Sequence, residues 1–282
     1  MAEPHAAEPH LVHHFHTSQQ QFDAGKLGIW LFLLTEVLFF SGLFCAYAVY
    51  RAAHPEIFSY AHYFLDARLG ALNTCVLLVS SLSAALAVRF AQLGQRRRLA
   101  LNILFTIACA LTFLGVKYVE YSHKFEDGLL PGVHFNPSEH VWETEAFKRR
   151  HPEASAYAER LRAFASNGKA EQVLEHDRLH KPTRAELEPL LEAGILGPKA
   201  EFPQFPSQPR NAHLFFGIYF MMTGLHGIHV LGGIAVWSWL LVRALRGEFG
   251  SAYFGPIDYA ALYWHLVDLI WIYLFPLLYL IH

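Results

Sequence analysis

The chain has 282 residues, 54% of them hydrophobic and 15% aromatic, against only 16% charged, with a formal net charge of -2. That balance leans toward a membrane protein, and with no basic face nothing points to a nucleic-acid partner. Charge is spread unevenly: 12 of the 22 Lys and Arg and 14 of the 24 Asp and Glu lie between Lys124 and Arg210, and the remainder is almost all apolar span.

The N-terminal arm, residues 1–26, carries His5, His10, His13, His14 and His16. That density could bind a transition metal, but ordinary contacts at a membrane interface or a disordered arm account for it better. Leu11, Phe15 and Phe22 suggest a short segment lying on the membrane surface. No apolar run of signal-peptide type occurs here, so Leu27–Tyr50 is expected to be an uncleaved first span. It is long enough to cross a hydrocarbon core of about 30 Å. Its only acid is Glu36. A carboxylate at that depth costs about 2.5 kcal/mol or more, so it is expected to face protein, water or a partner.

Arg51–Asp66 reads as a short loop, and Ala67–Phe90 as a second span carrying Asn73, Thr74, Ser80, Ser81 and Ser83, a composition that lets helices approach and hydrogen-bond. Arg89, Arg96, Arg97 and Arg98 crowd the next turn, before a third span from Leu99 to about Tyr121. The positive-inside rule puts that turn, and with it the N-terminus, on the cytoplasmic side, and the loop with Arg243 and Arg246 agrees. Cys45, Cys75 and Cys109 fall inside apolar segments without a CxxC pair, and read as small buried side chains with no disulfide.

By parity the charged segment 124–210 lies outside. PEASAYAERLRAFASNG and TRAELEPLLEAG read as capped helices, and Ile195–Arg210, with four prolines, as an extended linker back to the membrane. The fourth span, from about Asn211 to Leu245, contains TGLHGIHVLGG, with His226 and His229 one turn apart and five glycines thinning the helix. The fifth, from about Ile257, contains YWHLVDLIW, where His265 and Asp268 share a face at i,i+3. The expected fold is all-α: spans one to three in residues 27–123, a small helical insert in 124–210, and spans four and five in 211–282.

At about 1.5 Å per residue, Glu36, His265 and His226 lie roughly 13, 12 and 9 Å from the cytoplasmic side, so all three can occupy one level. Glu120 falls near the outer end of the third span, with Lys117 one turn away as a salt-bridge partner. Histidines at matching depth are open to three readings: structural hydrogen bonding, proton handling with Glu36 and Asp268, and axial haem ligation.

The blocks GIWLFLLTEVLFFSGLF, LNTCVLLVSSLSAALA, VEY at Val119–Tyr121, TGLHGIHVLGG and YWHLVDLIWIYLFPLLYL occur in this order, one in each span. Together they resemble subunit III of haem-copper terminal oxidases in its five-helix bacterial form. By that resemblance Glu36 matches a carbodiimide-reactive membrane carboxylate, and Glu120, His226, His229, His265 and Asp268 fall on family positions. The resemblance implies an accessory subunit of a proton-pumping cytochrome c oxidase, with no redox centre and no metal of its own. Haem and copper would sit in partner subunits, and subunits I and II and phospholipids would be its partners. It further implies support of proton uptake, protection of the catalytic subunit in turnover, and residence in the bacterial inner membrane. TEVLFF is similar to the cytochrome c oxidase branch. The quinol oxidase branch and the homologue found beside nitric oxide reductases are the nearer alternatives, and a free-standing proton-coupled transporter is the alternative of another class. The insert 124–210 departs from the typical member, and is expected to be periplasmic and to meet a cytochrome c or a partner respiratory complex.

Overall fold

The computed structural model describes residues 11–12, 14–132, 135, 209 and 211–280. Within them six α-helices form: α1 (Ser18–Ala53), α2 (Pro55–Ala61), α3 (Ala67–Gln92), α4 (Arg96–Glu126), α5 (His213–Arg246) and α6 (Gly255–Tyr279). All except α2 are long and apolar enough to cross a membrane. Among the described residues the only β-pairing is two isolated bridges, Leu129 with Phe135 and Gly250 with Tyr253. The two helices and the linker expected within 136–208 lie outside the described residues.

Two compact units divide the chain. The larger takes residues 1–53, 67–123 and 218–281, and the smaller takes 54–66 and 124–217. In the larger unit α6 is the central helix. It lies along α3 because the facing stripe of α3 is small: Phe275 and Tyr279 crowd Gly70, Trp271 Nε1 donates to Thr74 (3.0 Å), and Trp264 Nε1 donates to Ser80 (3.0 Å). On its other side Trp264 covers Gly233 of α5, so closely that a Cβ there would collide with the indole. Glycine is required at that crossing because only a bare backbone leaves room for the ring.

Helix α1 holds on by a narrow seam. Its buried residues, Leu33, Phe40 and Tyr47, are spaced by seven, and the Tyr47 hydroxyl donates to the Leu277 carbonyl of α6. Glu36 falls on the same seam, three residues after Leu33. The opposite face, with Trp30, Leu31, Leu34 and Leu38, is exposed. Near its start, Tyr259 of α6 packs on Gly25 and donates to the Phe22 carbonyl (2.8 Å), and Lys26 pairs with Asp258 at 3.3 Å.

The connection α3–α4 is a tight reversal. Gly94 takes a positive φ of 65°, while its N–H bonds the Ala91 carbonyl and the Gln95 N–H bonds that of Phe90. This is a Schellman cap, which satisfies the last carbonyls of α3 before the arginines begin.

In the smaller unit the expected loop Arg51–Asp66 proves to be structured. Pro55 opens α2, whose Ile57, Phe58, Tyr60 and Ala61 are buried, and a 3-10 turn follows at His62–Phe64. An aromatic cluster organises it, with Phe58 edge-on to Phe215, and Phe64 and Phe135 both against Phe216. Burial of the apolar middle of this segment, between the polar ends Arg51 and Asp66, decides the helix. A second correction concerns the cysteines: Cys45 and Cys75 are exposed and Cys109 is partly so. A polytopic chain keeps apolar residues on its outside, so an apolar run does not distinguish buried from outward-facing thiols.

Candidate functional site

Glu36 meets the fourth span at His229, where Nε2 lies 2.9 Å from Oε2. Both side chains are mostly enclosed, at 17% and 15% exposure. The other ring nitrogen, Nδ1, is 2.8 Å from the Leu225 carbonyl. A carbonyl only accepts, so that contact places a proton on Nδ1. The bond between Nε2 and the carboxyl then requires one further proton, held either as imidazolium with carboxylate or as imidazole with carboxylic acid. The pair is therefore a neutral unit sharing one proton, and its loss would set a bare nitrogen against a carboxylate. Phe40 packs edge-on to the imidazole with centroids 5.2 Å apart, and the Tyr263 hydroxyl donates to the His229 carbonyl at 2.8 Å, which fixes α5 and α6 at this level.

A second polar cluster surrounds Glu120. Lys117 Nζ lies 2.8 Å from Glu120 Oε2 and donates to Tyr219 and Tyr279, each at 3.0 Å. Both hydroxyls also donate to Glu120 Oε1, at 2.7 and 2.6 Å. The lysine also sits over the rings of Tyr121, Tyr219, Trp271 and Tyr279. With side-chain exposures of 7% and 3%, this ion pair is stable only because its polar atoms are answered within the bundle. Pairing of Lys117 with Glu120 is the sequence expectation; the two tyrosines escape sequence reasoning. The signal available was the rule itself, that two charges inside a span require further polar neighbours from other spans.

The remaining residues do not converge with Glu36. His226 has no exposed surface, and its ring packs against Phe113 (5.5 Å) and Trp271 (5.3 Å). His265 Nδ1 lies 3.1 Å from Ser81 Oγ, and Asp268, one turn further along α6, is buried. Azimuth separates the groups. Three residues along a helix turn the side chain by about 60°, enough to direct His229 to α1 and His226 to the α4 and α6 side. Thr74, Ser80 and Ser81 make the interhelical bonds expected of the second span, and their indole partners Trp264 and Trp271 are the residues of α6 that the sequence did not single out. Among the described residues no three His, Cys, Asp or Glu side chains gather as a metal-ligand set.

A family model described as cytochrome c oxidase subunit III matches residues 8–132 and 211–282. A protein named probable cytochrome c oxidase subunit 3 from Mycobacterium bovis is 33% identical over 89 residues, 31% of this chain and 44% of that relative. The cytochrome c oxidase subunit 3 of Thermostichus vulcanus is 39% identical over 72 residues, 25% of this chain and 36% of the relative. That of Drosophila melanogaster is 38% identical over 66 residues, 23% of this chain and 25% of the relative. Each alignment thus spans under half of the relative's length. The family match, however, takes in more than half of this chain and reaches all five membrane-capable helices. The chain belongs to the cytochrome c oxidase subunit III family.

Proposed function

We propose that this chain is the accessory subunit III of a proton-pumping cytochrome c oxidase, carrying no redox centre and stabilising the catalytic subunit while supporting its proton uptake. The observation that carries the reading is the 2.9 Å hydrogen bond between Glu36 and His229 inside a span. Such a pair can pass a proton between imidazole and carboxyl without leaving a net charge in the apolar slab, as a group that hands on protons beside a pump must. The enclosed ring of His226, with aromatic side chains against it, supports a packing role in preference to haem ligation. Haem and copper belong, on this reading, to partner subunits, with subunits I and II as neighbours and phospholipid against the exposed apolar face of α1.

On this reading the chain lies in a bacterial inner membrane, and the arginines of the α3–α4 turn and of the end of α5 support a cytoplasmic position for that end of the bundle and a periplasmic one for residues 124–210. Copurification tests the assignment. The full chain, isolated from its native membrane under mild detergent, is expected to bring down a Soret band and copper in stoichiometric amount. A chain recovered free of both, with intact membrane complexes lacking it, would overturn the reading and leave the transporter alternative standing.

A further inference from the structure

From Ala67 to Val119 the sequence holds no Asp or Glu, yet it holds Arg89, Arg96, Arg97 and Arg98, all exposed. Exposed Arg246, in the last turn of α5, belongs to the same end of the bundle, since the Arg96 guanidinium lies over Gly247 with Nη1 3.2 Å from where a Cβ would stand. The described acids at this end are already engaged. Glu248 holds Arg243 at 2.6 Å, Asp258 holds Lys26, and Asp23 accepts from Gln19 at 2.9 Å. None of the five exposed guanidinium groups has a carboxylate partner among the described residues. The helix ends that bear four of them are held by the reversal between them, where Gly94 caps α3, Arg98 stacks over Phe90 at 5.7 Å, and its Nη1 donates to Gln95.

We infer that this arginine rim is a docking site for anionic phospholipid headgroups of the adjoining leaflet. Several uncompensated cations at the depth where two spans end complement a surface bearing many phosphodiesters, whereas a single protein carboxylate would answer only one of them. Guanidinium suits the task because its planar fork meets two phosphate oxygens at once. The acyl chains have a surface directly below, since Leu82, Leu86, Leu101 and Leu104 are exposed along α3 and α4 on the membrane side of the rim. This deepens the lipid part of the proposed function by naming a headgroup class and a place, and it does not depend on the oxidase partners.

The test uses the delipidated full-length chain in neutral detergent, given equal phosphatidylglycerol and phosphatidylcholine, with bound lipids counted by native mass spectrometry. The wild type should retain phosphatidylglycerol preferentially, and each of Arg97→Gln, Arg98→Gln and Arg246→Gln should lower that preference roughly fivefold. The single variants leave most of the positive charge in place, so they insert normally even if neutralising the whole rim prevents folding; Glu36→Gln should leave the preference unchanged. Equal retention of the two lipids by the wild type, or an undiminished preference in all three variants, would overturn the inference. So would abolition of the preference by millimolar inorganic phosphate, which would mark a free-anion site. Variants that keep their lipid but lose the other oxidase subunits on purification would show that the rim meets protein carboxylates, and would overturn it as well.

Discussion

A single carboxylate, Glu36, carries most of the functional argument, and its substitution separates packing from proton exchange. In Glu36→Gln the amide N–H can still donate to Nε2 of a neutral His229, whose Nδ1 proton remains on the Leu225 carbonyl. The bond is kept and the exchangeable proton is removed. We expect thermal stability within about 1 kcal/mol of wild type, because one neutral hydrogen bond replaces another. Proton uptake by the assembled enzyme should slow, or its life in turnover shorten. Difference infrared spectra should lose any carboxylic-acid band assigned to this residue. Glu36→Leu removes the partner altogether and should destabilise by about 1–3 kcal/mol, as expected for a largely enclosed imidazole left unsatisfied. Glu36, Lys117 and Glu120 were legible in the sequence because charge in an apolar run is conspicuous. Tyr219 and Tyr279 were not, because hydroxyl-bearing residues are ordinary in spans and only the rotation of each helix shows which of them faces a charge.

Between helices, the contacts resolve into close approaches and polar ties, and each predicts differently. At Gly233 the Trp264 indole leaves no room for a side chain. Gly233→Val should therefore cost at least the 1–3 kcal/mol of ordinary overpacking and part α5 from α6. A loss of Trp264 fluorescence burial would report this, and an unchanged emission maximum with unchanged melting temperature would refute it. The Lys117–Glu120 tie behaves otherwise. Lys117→Met alone strands a buried carboxylate among two tyrosines and should cost about 3–5 kcal/mol, whereas Lys117→Met with Glu120→Leu should recover most of it, since paired removal leaves no buried charge. A double variant no more stable than the single one would mean that the pair is held by strain elsewhere. The five spans themselves were readable from hydropathy, and their ends were not. Helix α1 begins at Ser18, nine residues before the apolar run, because hydropathy marks where lipid begins while hydrogen bonding marks where the helix begins. The narrow seam at Leu33, Glu36, Phe40 and Tyr47 is a heptad pattern present in the sequence but hidden by apolar residues on every other face.

At the scale of the whole chain, the question is whether the bundle needs residues 136–208. The family match takes in residues 8–132 and 211–282, so all five spans lie within it and 133–210 lies outside it. Geometry agrees locally: Phe135 packs on Phe216 at 5.6 Å and on His213 at 6.2 Å, so the chain leaves and re-enters the described structure at one place. Replacing residues 136–208 with a short Gly-Ser linker should therefore close without strain, the loop entropy changing by only a few tenths to about 2 kcal/mol. The expected outcome is a membrane-inserted chain with an unchanged helical circular-dichroism spectrum and a melting temperature near that of the full chain. The segment holds many of the charges and no membrane-length apolar run, so its removal should be felt at a partner's surface, as weaker binding of a cytochrome c or of a neighbouring respiratory complex in pull-down from native membranes. A truncated chain that fails to insert would show that the bundle depends on the segment. A truncated chain that assembles and binds every partner at full-length affinity would leave the segment without the docking role its charge and position suggest.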